Sequence, residues 1–241
     1  MKIKGIIYAI LISFTITSAT TTIASDSSDT IDGLWQGHFD INGSGHYDFT
    51  SLQFNGVAVG YSEKAKTVWQ GYALKNGLNY NSEVVMFVKD GTKFSTATIQ
   101  GKIDKKNPSI EAQFKTSPAN DEGNISLRYN KIFERNSSMQ TIQGNWEYAS
   151  DDILLQIEIS ESGAFKGADT LGCNFYGDVS LLDKNINAYS VNLEIASCNT
   201  ADGHYKGMVY LSDLKEKNDT FHLAVFGDLY GLYYPLIRRK D

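Results

Sequence analysis

From residue 31 onward, apolar and polar positions alternate with a period of two over short runs broken by small polar turns. This pattern predicts strands rather than helices. In the first half the runs are 35–41, 47–54, 57–61, 67–74, 83–88, 94–103, 110–115 and 125–133. The second half gives 146–148, 153–160, 164–166, 174–182, 189–196, 205–211, 220–226 and 229–237. Between them stand turn formers such as Ser162-Gly163, Asp183-Lys184-Asn185 and Lys217-Asn218-Asp219. Eight short strands in about 105 residues suffice to close a small meander barrel, which leaves no exposed edge.

The first residues read differently. Lys2 and Lys4 precede an apolar stretch from Gly5 to Thr15, and Thr22-Ile23-Ala24 suits a small-residue cleavage site. Residues 1–24 are therefore expected to be a secretory signal peptide. The apolar stretch falls short of the ~20 residues of a membrane span. No cysteine follows it to carry a lipid anchor, so the expected location is periplasmic or secreted. Losing Lys2 and Lys4 with no acid moves the formal charge from −6 to −8. Without a basic stripe, nucleic acid and anionic membranes are poor partners. The 14 Tyr, 12 Phe and 21 Gly against 3 Pro favour an all-β chain. In an exported protein the two cysteines, Cys173 and Cys198, read as one disulfide.

The two halves share bookends. Ile31-Asp32-Gly33-Leu34-Trp35 recurs as Ile142-Gln143-Gly144-Asn145-Trp146, and "NISLRYNKIFER" (124–135) matches "YGLYYPLIRRKD" (230–241). The polar stretch "ERNSSMQT" reads as a linker, so two modules are expected, 31–135 and 142–241. Gly-x-Trp at Gly33 and Gly144, with a late Arg128 or Arg135 and Arg238 or Arg239, resembles the calycin superfamily of lipocalin- and avidin-type barrels. The resemblance implies two tandem antiparallel meander barrels. It also implies that Trp35 and Trp146 pack across a closed barrel end against one of those arginines. Such a contact joins a cation–π interaction to burial of the arginine stem.

Within the first module, "GHFDINGSGHYDF" (37–49) places two histidines and two aspartates in a hairpin. With Trp35, Phe39 and Phe49 inward, residues 39 and 49 face each other. Asp40 then stands opposite Asp48 on the outer face, with His38 and His46 beside them. These four are candidate metal ligands, although a solvated polar face needs no metal. In the second module, a disulfide across neighbouring strands makes paired residues sum to 371. Tyr176 and Asp178 then point inward as candidate polar ligand contacts. A bulge at the glycines of "FKGADTLGCNFYGDV" would instead turn Phe175, Val179 and Leu181 inward.

Catalytic motifs are missing: there is no Gly-x-Ser-x-Gly, no His-Glu-x-x-His and no phosphate-cradling loop. His204 sits in a turn-like stretch, and His222 in "TFHLAVF" reads as a barrel-wall residue. No catalytic residues and no cofactors are expected. The expected function is an exported non-enzymatic binding protein, its ligand an apolar molecule in a barrel mouth. The alternatives are a periplasmic protein-binding inhibitor or immunity-type factor, and an enzyme in a calycin-like barrel.

Overall fold

The computed structural model describes residues 30–239; the expected leader, 1–24, lies outside the described residues. The first eight strands are β1 (Gly33–Ile41), β2 (Ser44–Phe54), β3 (Val57–Ser62), β4 (Thr67–Asn76), β5 (Asn79–Val88), β6 (Gly91–Asp104), β7 (Ser109–Ser117) and β8 (Glu122–Tyr129). Each pairs antiparallel with the next, and β8 returns to β1, where Trp35 faces Tyr129 and Phe39 faces Ile125. The result is a closed eight-stranded antiparallel barrel.

Eight further strands follow: β9 (Gly144–Ala149), β10 (Leu154–Ile159), β11 (Ala164–Asp169), β12 (Asn174–Leu181), β13 (Tyr189–Ala196), β14 (Gly203–Ser212), β15 (Thr220–Phe226) and β16 (Tyr230–Arg238). They too pair in sequence order, and β16 meets β9 through Ile237–Glu147 and Arg238–Trp146. The polar stretch between the two sets is not slack chain. Residues Lys131–Glu134 form a 3-10 turn capped by Asn130, and Met139–Ile142 form α1, capped by Ser138. Phe133 and Ile142 anchor these turns by burial.

Alternation dictates most of the packing. β7 and β13 bury every second residue and leave the rest exposed or half-buried. Their inward residues feed two interior cores, one around Trp35, Phe39, Trp69 and Phe114, the other around Trp146, Tyr189, Phe221 and Leu236. Strands β3, β15 and β16 break the pattern and are buried on both faces. Their second face forms a third core, a seam where Leu52, Val59, Val68 and Phe87 of the first set meet Met208, Ala224, Phe226 and Tyr233 of the second. Backbone crosses the seam as well, through Tyr230–Thr92 and Gly231–Gly91. The approach there requires glycine: a Cβ on Gly231 would lie 2.7 Å from Val68 and 2.8 Å from Phe87.

Candidate functional site

One layer of inward side chains, one or two from each strand of the first barrel except β3, lines an apolar recess at its mouth. Phe39, Phe49, Trp69, Met86, Phe114 and Ile125 surround a space of about 30 Å³, also bounded by Val84, Ala97 and Ile99. The rings hold one another, with Phe49 4.4 Å from Trp69 and Phe39 5.9 Å edge-on to Phe114. Four residues further along β2 the interior turns polar. Gln53 donates to the Tyr80 hydroxyl at 3.0 Å and to Ser51 at 3.3 Å. Burial pushes the Tyr80 phenol up to about 12.

Outside this mouth runs a polar groove of about 510 Å³ that shares Phe114 with the recess. Its floor follows from register. Gln100 faces Gln113, Gln113 faces Asn124, and Asp40 accepts hydrogen bonds from the Asn124 side-chain amide at 3.0 Å and backbone N–H at 3.3 Å. Register and bonds together set a row of amides and one carboxylate across β6, β7, β8 and β1. Gly123 keeps the floor low, since a Cβ there would sit 2.1 Å from the Asp40 carbonyl oxygen and 2.8 Å from the Phe114 ring. The Asn124 amide, with backbone N–H groups behind it, holds the Asp40 carboxyl below the usual range.

The hairpin residues reach the surface in a register that differs from the sequence expectation. Phe39 faces Tyr47 rather than Phe49, and His38 faces Asp48. The turn accounts for the shift: Asn42, Gly43 and Gly45 all take positive φ, and the ladder slips between Phe39 and Ile41. Asp40 and Asp48 therefore do not face each other. Asp48 accepts from the Ser62 hydroxyl and from the backbone N–H groups of Glu63 and Lys64, closing the β3–β4 turn. His38 and His46 stack at 4.1 Å. Both carboxylates are already occupied by the fold. Among the described residues, no three His, Cys, Asp or Glu side chains gather as metal ligands.

In the second set the Cys173–Cys198 disulfide is present. The ladder beside it runs one step out of the expected register, with Asn174 facing Ala196 and Phe175 facing Ile195. Ser197, in the left-handed region at φ 62°, absorbs the offset. Phe175 and Val179 are buried, whereas Leu181 is exposed. Tyr176 and Asp178 point outward, which corrects the inward reading. Packing decides it, since Phe175 and Val179 match the apolar face of Val191, Leu193 and Ile195. Asp178 accepts from the Asn192 amide, and Tyr176 borders a second outer groove of about 390 Å³ with Gln156, Lys166 and Arg239.

The partners of the two first-strand tryptophans differ. The Arg238 guanidinium lies 4.1 Å over the Trp146 ring and donates to the carbonyls of Gln143 and Thr141. The Trp146 indole N–H donates to Ile142 O at 2.8 Å. In the first set the same register position belongs to Tyr129, which meets Trp35 edge-on at 5.4 Å. Arg128 is one residue out of phase and lies on the exposed side of β8. Arg135 lies past the strand and makes a bidentate pair with Asp213 of the second set. Arg239 approaches Glu147 at 3.7 Å.

Sequence reasoning missed one cluster altogether. In the seam the His222 ring is held at both nitrogens. Nδ1 is 2.7 Å from the Tyr233 hydroxyl and 3.3 Å from that of Tyr61, and Nε2 is 2.6 Å from Ser212 Oγ. The Tyr61 hydroxyl continues to Tyr210 at 2.7 Å. The signal was present in "VAVGYS" and "TFHLAVF", where apolar residues fill both parities and thus mark a strand with two buried faces. No known protein family, characterised protein or solved structure gives a match to this chain.

Proposed function

We propose that the chain is an exported, non-enzymatic binding protein of two tandem calycin-like barrels, and that it takes a protein partner at the mouth of the first barrel. The return of β16 to β9 supports the second barrel, as does the shared register of Trp35–Tyr129 and Trp146–Arg238. The apolar leader-like stretch and the disulfide support export. The observation that carries the reading is size. A recess of about 30 Å³ is an order of magnitude below the ~300–1,000 Å³ of ligand pockets. It has room for about one methyl-sized group. An apolar recess beside a row of exposed amides has the form of a protein contact, an anchor point with a polar rim.

The test is retention of a partner from envelope extract by the immobilised mature chain. Asn124→Arg and Gln113→Arg place bulk and charge in the groove without touching the interior, and each is expected to abolish retention. Asp178→Arg, on the far set, is expected to leave it intact. A reproducible bound small molecule in native mass spectrometry, with retention indifferent to residues 113 and 124, would sink the proposal.

A further inference from the structure

The seam takes the outer faces of β14, β15 and β16, whose Met208, Tyr210, Ala224, Phe226 and Tyr233 are buried in it. Strands β10, β11 and β12 leave theirs to solvent, and there Gln156, Glu158, Lys166, Ala168 and Tyr176 are exposed. Alternation and register gather these five on one face. Gln156 faces Ala168, Glu158 faces Lys166, and Lys166 faces Tyr176. Ala168 is the shortest of the five, so the face sinks at its position and rises at Tyr176. The sunken part is the outer groove of about 390 Å³, a volume within the ~300–1,000 Å³ of ligand pockets.

Two features of the groove select a ligand. The first is a ring. Tyr176 is 49 % exposed and borders the groove, so it offers water an aromatic face to which C–H groups can pack. The second is a wall of planar polar groups whose charges cancel. The Gln156 amide donates to Glu147 at 2.7 Å, Lys166 pairs with Glu158 at 3.1 Å, and Arg239 Nε approaches Glu147 at 3.7 Å. Two cations stand against two anions, and Glu194, facing Tyr176 from β13, adds a third anion. The groove therefore has no surplus cation for a phosphate or carboxylate. Exposed ion pairs contribute little, so an incoming hydroxyl can take one of their polar atoms at small cost. Amide, carboxylate and guanidinium groups each present two polar atoms side by side, which suits two neighbouring hydroxyls. A pyranose ring has both complements, a face of C–H groups and a rim of hydroxyls. A nucleotide would match only the aromatic face.

We propose that the outer face of β10, β11 and β12 is a carbohydrate-binding site. Tyr176 is the platform under one neutral pyranose residue, and Gln156, Glu158 and Arg239 bind its hydroxyls. The site lies on the second strand set, so it does not depend on the protein contact proposed at the mouth of the first barrel.

Saturation-transfer NMR on the full mature chain reads contact with maltose, cellobiose, lactose and glucose 6-phosphate. Each is used at about 10 mM, where a site with a Kd of about 1 mM is about nine-tenths filled. A neutral disaccharide is expected to take up saturation, most strongly on the C–H face of one ring. Tyr176→Ala is expected to weaken binding about tenfold, and Tyr176→Phe, which keeps the ring, to stay within about twofold. Ala168→Gln fills the floor and is expected to abolish contact. Both positions are exposed, so all three variants should keep the circular dichroism of the unaltered chain. No uptake by any of the three neutral sugars overturns the proposal. So does binding indifferent to residue 176, or a tighter hold on glucose 6-phosphate than on the neutral sugars. An envelope protein released by Tyr176→Ala, with no sugar bound, would make the groove a protein contact and overturn it as well.

Discussion

At the residue scale, the first-strand tryptophan meets a guanidinium in the second strand set and a phenol in the first barrel. Both occupy the strand position facing the first-strand tryptophan. Arg238 combines the ring contact with two charge-assisted bonds to α1 and its C-cap. Arg238→Met should therefore cost about 3 kcal/mol in urea unfolding. Arg128→Ala, on the exposed side of β8, should stay within about 0.5 kcal/mol. The tryptophans were legible because each ends the same Ile-x-Gly-x-Trp pattern, Ile31 to Trp35 and Ile142 to Trp146. The arginine of the first set was not. Arg128 and Tyr129 are adjacent, and only the β1–β8 register says which of them looks inward.

At the element scale, all sixteen strands were legible, because each carries either a clean period of two or a dense β-branched and aromatic run. Pairing register was the weak point. In the first hairpin three positive-φ residues moved the ladder by two positions, and in β12–β13 one left-handed serine separated the ladder from the disulfide. The candidate ligands Asp40, Asp48, Tyr176 and Asp178 depended on those registers, so their roles changed when the registers did. Asp48 became the clamp of the β3–β4 turn. Asp48→Ala, which strips that turn of three bonds, should destabilise by about 1.5 kcal/mol and raise exchange at residues 62–66. The disulfide closes a loop of 25 residues' separation. Its reduction should lower stability by about 3.5 kcal/mol, read as the denaturation midpoint with and without reductant.

At the scale of the whole molecule, the decisive feature is that β15 serves two cores. Leu223 and Val225 face the interior of the second set, whereas Ala224, between them, faces the seam among Met208 and Tyr233. Adjacent substitutions should therefore fail in different ways. Leu223→Arg buries a charge in an interior with no partner for it, costs more than about 4 kcal/mol, and should unfold the second set outright. Ala224→Arg puts the same side chain into the seam, where the two sets can part and let it reach water. Its expected signature is strand circular dichroism close to the unaltered chain, a larger radius of gyration by small-angle scattering, and two thermal transitions in place of one. The parted sets would expose Leu52, Val59, Val68 and Phe87 on one side and Phe226 on the other, so the variant should also bind a hydrophobic dye and self-associate. Equal loss of circular dichroism in the two variants would mean that the second set cannot stand without the first. The repeat visible in the sequence would then mark two halves of one folding unit rather than two modules joined at a seam.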